Sequence, residues 1–175
     1  GEPHGLEGQA HVWQSIDQLT VGPMLPANTP IFRALQLPTT CIVSSVAELG
    51  LDRWINAARD HLMQRPALIQ IREKQLAGDA QRMRMLVERT MTRLKPFGAT
   101  VVVNSDCGRF PQSDGVHLTA AALMATPSRP AADWCGASCH SAEEIGRAVA
   151  LGLDYVIVGP VQATRSHPGA QPIGW

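Results

Sequence analysis

From residue 39 onward the chain alternates short apolar runs with amphipathic helical stretches, and few folds accommodate that alternation. The clearest unit covers residues 134–158. Residues 134–139 read as a strand. A helix follows, with Ser141 as N-cap and Glu144 three residues on at the capping-box spacing, and Gly152 marks its end. The next strand, 155–158, is almost wholly apolar, as expected where both faces of a parallel sheet are covered. His140 stands at the C-terminal end of the first of these strands, and Thr164, Arg165 and Ser166 follow the second. That edge is where βα folds bind ligands.

Earlier segments repeat the rhythm. Strands are expected over 40–45, 67–74, 100–104 and 115–118, and helices over 51–63, 79–94 and 120–124. The first long helix carries Trp54, Ile55, Ala58 and Leu62 on one stripe. About six βα units with right-handed crossovers imply an α/β fold with a parallel sheet, open or rolled into a barrel.

Composition narrows the function. With zero formal net charge and 45% hydrophobic residues, the chain has neither the basic footprint of a nucleic-acid binder nor the character of a disordered one. No apolar run reaches the ~18 residues of a membrane span, and no signal peptide is visible. Cys41, Cys107, Cys135 and Cys139 are irregularly spaced and lie mostly in apolar runs, which reads as reduced core cysteine in a cytoplasmic protein.

The strand ALIQIREK has the most informative alternation. Gln70, Arg72 and Lys74 share one face, while Ile69, Ile71 and Glu73 share the other. Two cations and an amide on one face of an interior strand need an anionic partner, so this face is a candidate phosphate or pyrophosphate site. A solvated edge strand would explain the same pattern. Asn104, closing TVVVN, is either a turn-former or a ligand contact.

Residues 1–38 lack this rhythm. A turn leads into a short strand near His11, Val12 and Trp13, and a helix starts near Pro30. EGQ-x3-W, followed by L-PAN-x-P-I-x3-L-x-LP, resembles the C-terminal end of MutT-type Nudix hydrolases. The metal-binding carboxylates of the Nudix helix are absent from this stretch. These residues are therefore expected to be a remnant of a Nudix domain, the barrel's upstream partner in the same chain.

Over residues 39–175 the motifs QIREK, VNSD, DGVHL, GASCHS, LDYVIVGP and TRSHP-GAQPIGW together resemble the thiamin phosphate synthase/TenI superfamily. The resemblance implies a (β/α)8 TIM-barrel type of fold, incomplete here because two βα units of the family pattern are not in the sequence. It also implies a phosphorylated thiazole substrate, with Gln70, Arg72 and Lys74 holding phosphate or carboxylate and Asn104, Thr164 and Ser166 orienting it. Homo-oligomerisation is compatible with the sequence.

Two activities occur in the family. The synthases join a pyrimidine diphosphate to a thiazole phosphate with Mg²⁺, held by an Asp straight after the strand-3 Asn and another after the strand-4 HL. Here those places carry Ser105 and the run Thr119-Ala120-Ala121-Ala122, with Asp106 one position late. The TenI branch tautomerises a carboxythiazole phosphate without metal, by a proton transfer that suits histidine. His140 matches the TenI histidine. The expectation is therefore a metal-independent, cofactor-free tautomerase with His140 catalytic. A divergent Mg²⁺-dependent synthase and a non-catalytic phospho-thiazole-binding module are the alternatives. His117 is expected to be a packed, hydrogen-bonded strand histidine. Lacking two units, the chain by itself is expected to be inactive.

Overall fold

A computed structural model describes residues 8, 11–16, 18–76, 78–162, 172 and 174, and the chain divides into two units, Gly1–Leu37 and Pro38–Trp175. The second unit is organised on six strands: β1 (Cys41–Val43), β2 (Ala67–Ile71), β3 (Ala99–Asn104), β4 (Gly115–Leu118), β5 (Trp134–Cys139) and β6 (Tyr155–Val158). Every neighbouring pair is parallel and the spatial order is the sequence order, β1 to β6. A doubly wound sheet reverses its order at a switch point, whereas a (β/α)8 sheet never does. The sheet also curls. Burial pushes the Tyr155 phenol on β6 above its ordinary range, and Cys41 on β1, at the other end of the strand order, adds to the rise. Side chains of the first and sixth strands thus face a common interior.

Helices cover the outer face. These are α2 (Val46–Leu49), α3 (Leu51–Leu62), α4 (Ala80–Leu94), α5 (Ala120–Ala125) and α6 (Ala142–Ala150). Trp54, Ile55, Ala58 and Leu62 of α3 are the buried stripe read from the sequence, and they pack with Met83, Leu86 and Val87 of α4. Against them the sheet sets Ile69, Ile71, Val101 and Val103, all buried. Each such side chain stabilises the fold by about 1.5–3 kcal/mol. A second cluster joins Leu118, Leu123, Ala137 and Cys139 to Ala148 and Leu151. The residues between these on each strand, Gln70, Asn104, His117 and Ser138 among them, face the interior.

At the N-terminal edge of the sheet one device occurs twice. Asp114, just before β4, accepts the Val101 amide at 2.7 Å and pairs with Lys95 at 2.6 Å. Asp154, just before β6, accepts the Cys135 amide at 2.8 Å and pairs with Arg129 at 2.7 Å. Each carboxylate thus joins a strand amide to a cation at the edge opposite the candidate site.

Several expectations need correction. The strand over 67–74 stops at Ile71, and Lys74 opens a 3-10 turn over Lys74–Leu76, so alternation does not carry Lys74 onto the face of Gln70. Helix α2 was not foreseen. Gly50, at φ 77°, separates it from α3 in a conformation that side chains rarely adopt. Of the four cysteines, Cys107, Cys135 and Cys139 are buried, but Cys41 is exposed. In the first unit, α1 (Thr29–Gln36) forms where a helix was expected. Residues 11–15 form no strand, having no partner strand among the described residues. No helix among those residues is long and apolar enough to cross a membrane.

Candidate functional site at the C-terminal strand edge

The rim of the sheet is built from the ends of β2, β3 and β5. Gln70, 4% exposed, lies within β2, and its main-chain carbonyl accepts the Ser44 amide at 2.9 Å. Arg72 is half-buried just past the strand, its own amide donating to the Ser44 hydroxyl at 2.9 Å. Glu73 turns the opposite way. Its buried carboxylate accepts the Val46 amide at 2.7 Å and the Ala47 amide at 3.4 Å, capping α2 where the helix dipole favours an anion. The β1 loop is thereby tied to the end of β2, which fixes where Arg72 leaves the strand. Lys74 is exposed in the following turn.

Asn104 ends β3 and is 2% exposed, and its Oδ1 is buried without a hydrogen-bond partner. A buried amide oxygen left so is costly unless a donor reaches it. Its register neighbour on β4 is His117, which is wholly buried. Nδ1 of His117 lies 3.1 Å from the Tyr155 hydroxyl and Nε2 lies 2.9 Å from the Ser138 hydroxyl. His117 is therefore the packed, hydrogen-bonded histidine expected. Its pKa is lowered to about 4, first by burial and then by the Arg72 guanidinium, with Asp106 opposing. Arg72, Asp106 and His117 thus act on one another across β2, β3 and β4.

His140 follows β5 at the same edge and is exposed. The Ser141 hydroxyl caps α6 by accepting the Glu144 amide at 3.2 Å. The Glu144 carboxylate accepts the amide of His140 rather than that of the cap residue, so the capping motif also anchors the histidine. Nδ1 of His140 bonds the Gly159 carbonyl at the end of β6. A carbonyl only accepts, so Nδ1 carries the hydrogen and the neutral ring keeps its lone pair on Nε2. Thr164 and Ser166 lie outside the described residues.

The residue after Asn104 and the run after Leu118, where the resemblance implies carboxylates, are tied together without one. The Ser105 hydroxyl accepts the Thr119 amide at 3.0 Å, and the Thr119 hydroxyl caps α5 through the Ala122 amide at 3.2 Å. Asp106 beside them is exposed and accepts from the Cys107 thiol at 3.4 Å. Among the described residues no three His, Cys, Asp or Glu side chains gather as a metal site. This donor set does not fit a Mg²⁺ centre. Across the sheet, a cavity of about 710 Å³ opens on the helix side of β3 and β4, beside Val103, Val116, Leu118 and Arg129. It shares none of the residues above except Ser105.

The model of the TMP-TENI family, described as thiamine monophosphate synthase, matches residues 40–175. The chain belongs to this family. It is 32% identical over 130 residues to a thiamine-phosphate synthase of a Synechococcus strain, covering 71% of this chain and 36% of that protein. A thiamine-phosphate synthase of Prochlorococcus marinus is 32% identical over 162 residues, covering 86% of this chain and 44% of its own length. With 52% of a Geobacter sulfurreducens relative covered as well, the chain spans about half the length, or less, of these curated relatives. Its fold is similar to that of a thiamine phosphate pyrophosphorylase from Pyrococcus furiosus, with a TM-score of 0.56 and 21% identity over 81% of this chain and 67% of that one. The TIM-barrel type of α/β fold expected from the sequence is therefore the fold observed.

Sequence reasoning missed Ser138, Tyr155 and Glu73. Ser138 and Tyr155 reach His117 from 21 and 38 residues away, and Glu73 caps a helix 27 residues upstream. The one local signal was Ser138 itself, a hydroxyl on the interior face of an otherwise apolar strand.

Proposed function

We propose that the chain is a TenI-type domain that isomerises a phosphorylated thiazole by proton transfer, without a metal ion. The observation that carries this reading is that neither place where the resemblance puts a synthase carboxylate holds one: Ser105 follows Asn104 and accepts the Thr119 amide, and the run Thr119-Ala120-Ala121-Ala122 follows Leu118. His140 is the proton-transfer residue. Its Nδ1–H bond to Gly159 orients a lone pair on Nε2, and histidine is suited to taking and returning a proton. Arg72, with Gln70 and Lys74, binds the substrate's phosphate or carboxylate, since a guanidinium suits such planar, charged acceptors. Asn104, Thr164 and Ser166 orient it, the unpaired Oδ1 of Asn104 taking a donor from the ligand.

The test, made on the full-length protein, is turnover of carboxythiazole phosphate in EDTA. Isomerisation at an undiminished rate is the expected result, and tight thiazole binding without turnover would replace the enzyme reading with a non-catalytic binding module. The second enzyme reading is a divergent synthase. The names of the Synechococcus and Prochlorococcus relatives favour it, as does Asp106, whose charge reaches His117. Mg²⁺-dependent diphosphate release from the pyrimidine substrate would establish it in place of the tautomerase.

By the same reading, residues 1–38 are the end of a Nudix domain that precedes the barrel in a cytoplasmic protein. The support is the EGQ-x3-W and L-PAN-x-P run, together with helix α1 at its expected place.

A further inference from the structure

Every connection between neighbouring strands carries an α-helix except the one from β3 to β4, which has a 3-10 turn over Ser105–Cys107 and no α-helix. A (β/α)8 fold covers its sheet with those helices. Here the cover over β3 and β4 comes from the connection itself, and it is incomplete. The cavity of about 710 Å³ opens at this place, over buried Val103 and Leu118 and half-buried Val116. Sites that enclose small molecules run from roughly 300 to 1,000 Å³.

Both walls of the cavity are tied down. On one side Gly108, at φ 103°, turns the connection, and Phe110 folds back until its ring lies 3.4 Å from where a Cβ on Gly108 would stand. Ser113 closes that turn. Its amide donates to the Phe110 carbonyl at 2.9 Å, and its hydroxyl lies 2.8 Å from the same oxygen and 3.1 Å from the Gly115 carbonyl. On the other side the Thr126 hydroxyl donates to the Ala122 carbonyl at 2.6 Å, and the Arg129 guanidinium holds Asp154 at 2.7 Å and the Gly152 carbonyl. A ligand entering between two such walls has little chain to order.

The lining then selects the ligand. The floor and the Phe110 ring offer apolar and aromatic surface. Of the charged groups, Arg129 is paired with Asp154, and Asp133 has a partner of its own. Arg109, exposed beside Phe110, has no hydrogen bond or ion pair among the described residues. A guanidinium with no counter-charge, next to a ring and an apolar floor, fits an anionic group carried on an aromatic body.

We propose that this cavity is a second binding site, for a small aromatic anion. Its ring system lies on Val103, Val116 and Phe110, and its carboxylate, sulfonate or phosphate is held by Arg109. The sheet separates this site from Gln70, Asn104 and His117 on the interior face, and the site does not depend on the reaction proposed there.

The test is a fluorescence titration of the full-length protein with anilinonaphthalene sulfonate, an aromatic monoanion of that class. N-phenylnaphthylamine, which has the same rings without the charge, is titrated beside it. Arg109→Gln is expected to weaken the sulfonate roughly tenfold, the effect of one charge-assisted hydrogen bond, and to leave the neutral probe unchanged. Val116→Phe, which puts a ring into the cavity, is expected to weaken both probes. Arg72→Gln, on the opposite side of the sheet, is expected to weaken neither. Sulfonate binding that Arg109→Gln leaves intact, or that a folded Val116→Phe protein retains in full, would overturn the proposal. So would a loss in Arg72→Gln as large as that in Arg109→Gln. Arg109 lies on the surface, so its variant decides the matter even where Val116→Phe does not fold.

Discussion

The hydroxyl of Ser105 accepts the main-chain amide of Thr119 at 3.0 Å, joining the end of β3 to the start of α5 at the rim of the sheet. The resemblance implies carboxylates at position 105 and at the end of the run 119–122, and here those places hold Ser105 and Ala122. Wild-type protein is therefore expected to show no saturable rise in Tm with millimolar Mg²⁺. Ser105→Asp combined with Ala122→Asp is expected to gain one, since binding to the folded state alone raises its stability. Thermal melts across a Mg²⁺ titration check both.

The contact of Gly136 with Tyr155 sets a second expectation. A Cβ at position 136 would stand 2.0 Å from the Tyr155 ring, far inside van der Waals contact. Gly136→Ala is expected to destabilise the protein by about 3 kcal/mol, the upper end for overpacking. In a Tyr155→Ala background the same substitution should cost less than about 1 kcal/mol, because the obstructing ring is gone. Urea unfolding of the four proteins measures the coupling.

His117 makes stability depend on pH. Its imidazole protonates near 6.5 in the unfolded chain and only near 4 in the fold. Between those values the unfolded state binds the extra proton, so stability falls as pH drops from about 6.5 to about 4. The total loss expected is on the order of 3 kcal/mol. His117→Gln is expected to flatten this part of the profile, as followed by denaturant midpoints at a series of pH values.

At the opposite edge, the two aspartates should differ in weight. The Asp154 side chain is 8% exposed and that of Asp114 is 18%, while their partners Arg129 and Lys95 are 32% and 43% exposed. Asp154→Ala is expected to cost about 3 kcal/mol and Asp114→Ala about 1–2 kcal/mol, since the more buried pair leaves its partners less accessible to water. Chemical denaturation of the two variants, with activity assayed alongside, checks that this edge governs stability rather than turnover.

What could be read from the sequence was what local chemistry specifies. Strands β4 and β6 have the limits expected, 115–118 and 155–158, and α6 starts at its Ser141 cap. The stripe of Trp54, Ile55, Ala58 and Leu62 is buried as the helical period requires. Failures fall where distant parts of the chain decide. Helix α2 is too short for periodicity to reveal, and its capping carboxylate, Glu73, lies 27 residues on, just past the end of β2. Alternation through QIREK assumed a strand that continued to Lys74, whereas the chain turns after Ile71. For the site, residue types marked Gln70, Arg72, Asn104 and His140. The polar partners of His117 emerged only once parallel pairing had put β4, β5 and β6 side by side.

The proton-transfer role of His140 is tested most directly by one rate. Isomerisation of carboxythiazole phosphate at saturating substrate in EDTA is compared between the full-length wild-type protein and its His140→Gln variant. The account predicts a fall in kcat of about 10²–10⁴-fold with folding intact. An unchanged rate in His140→Gln would contradict it.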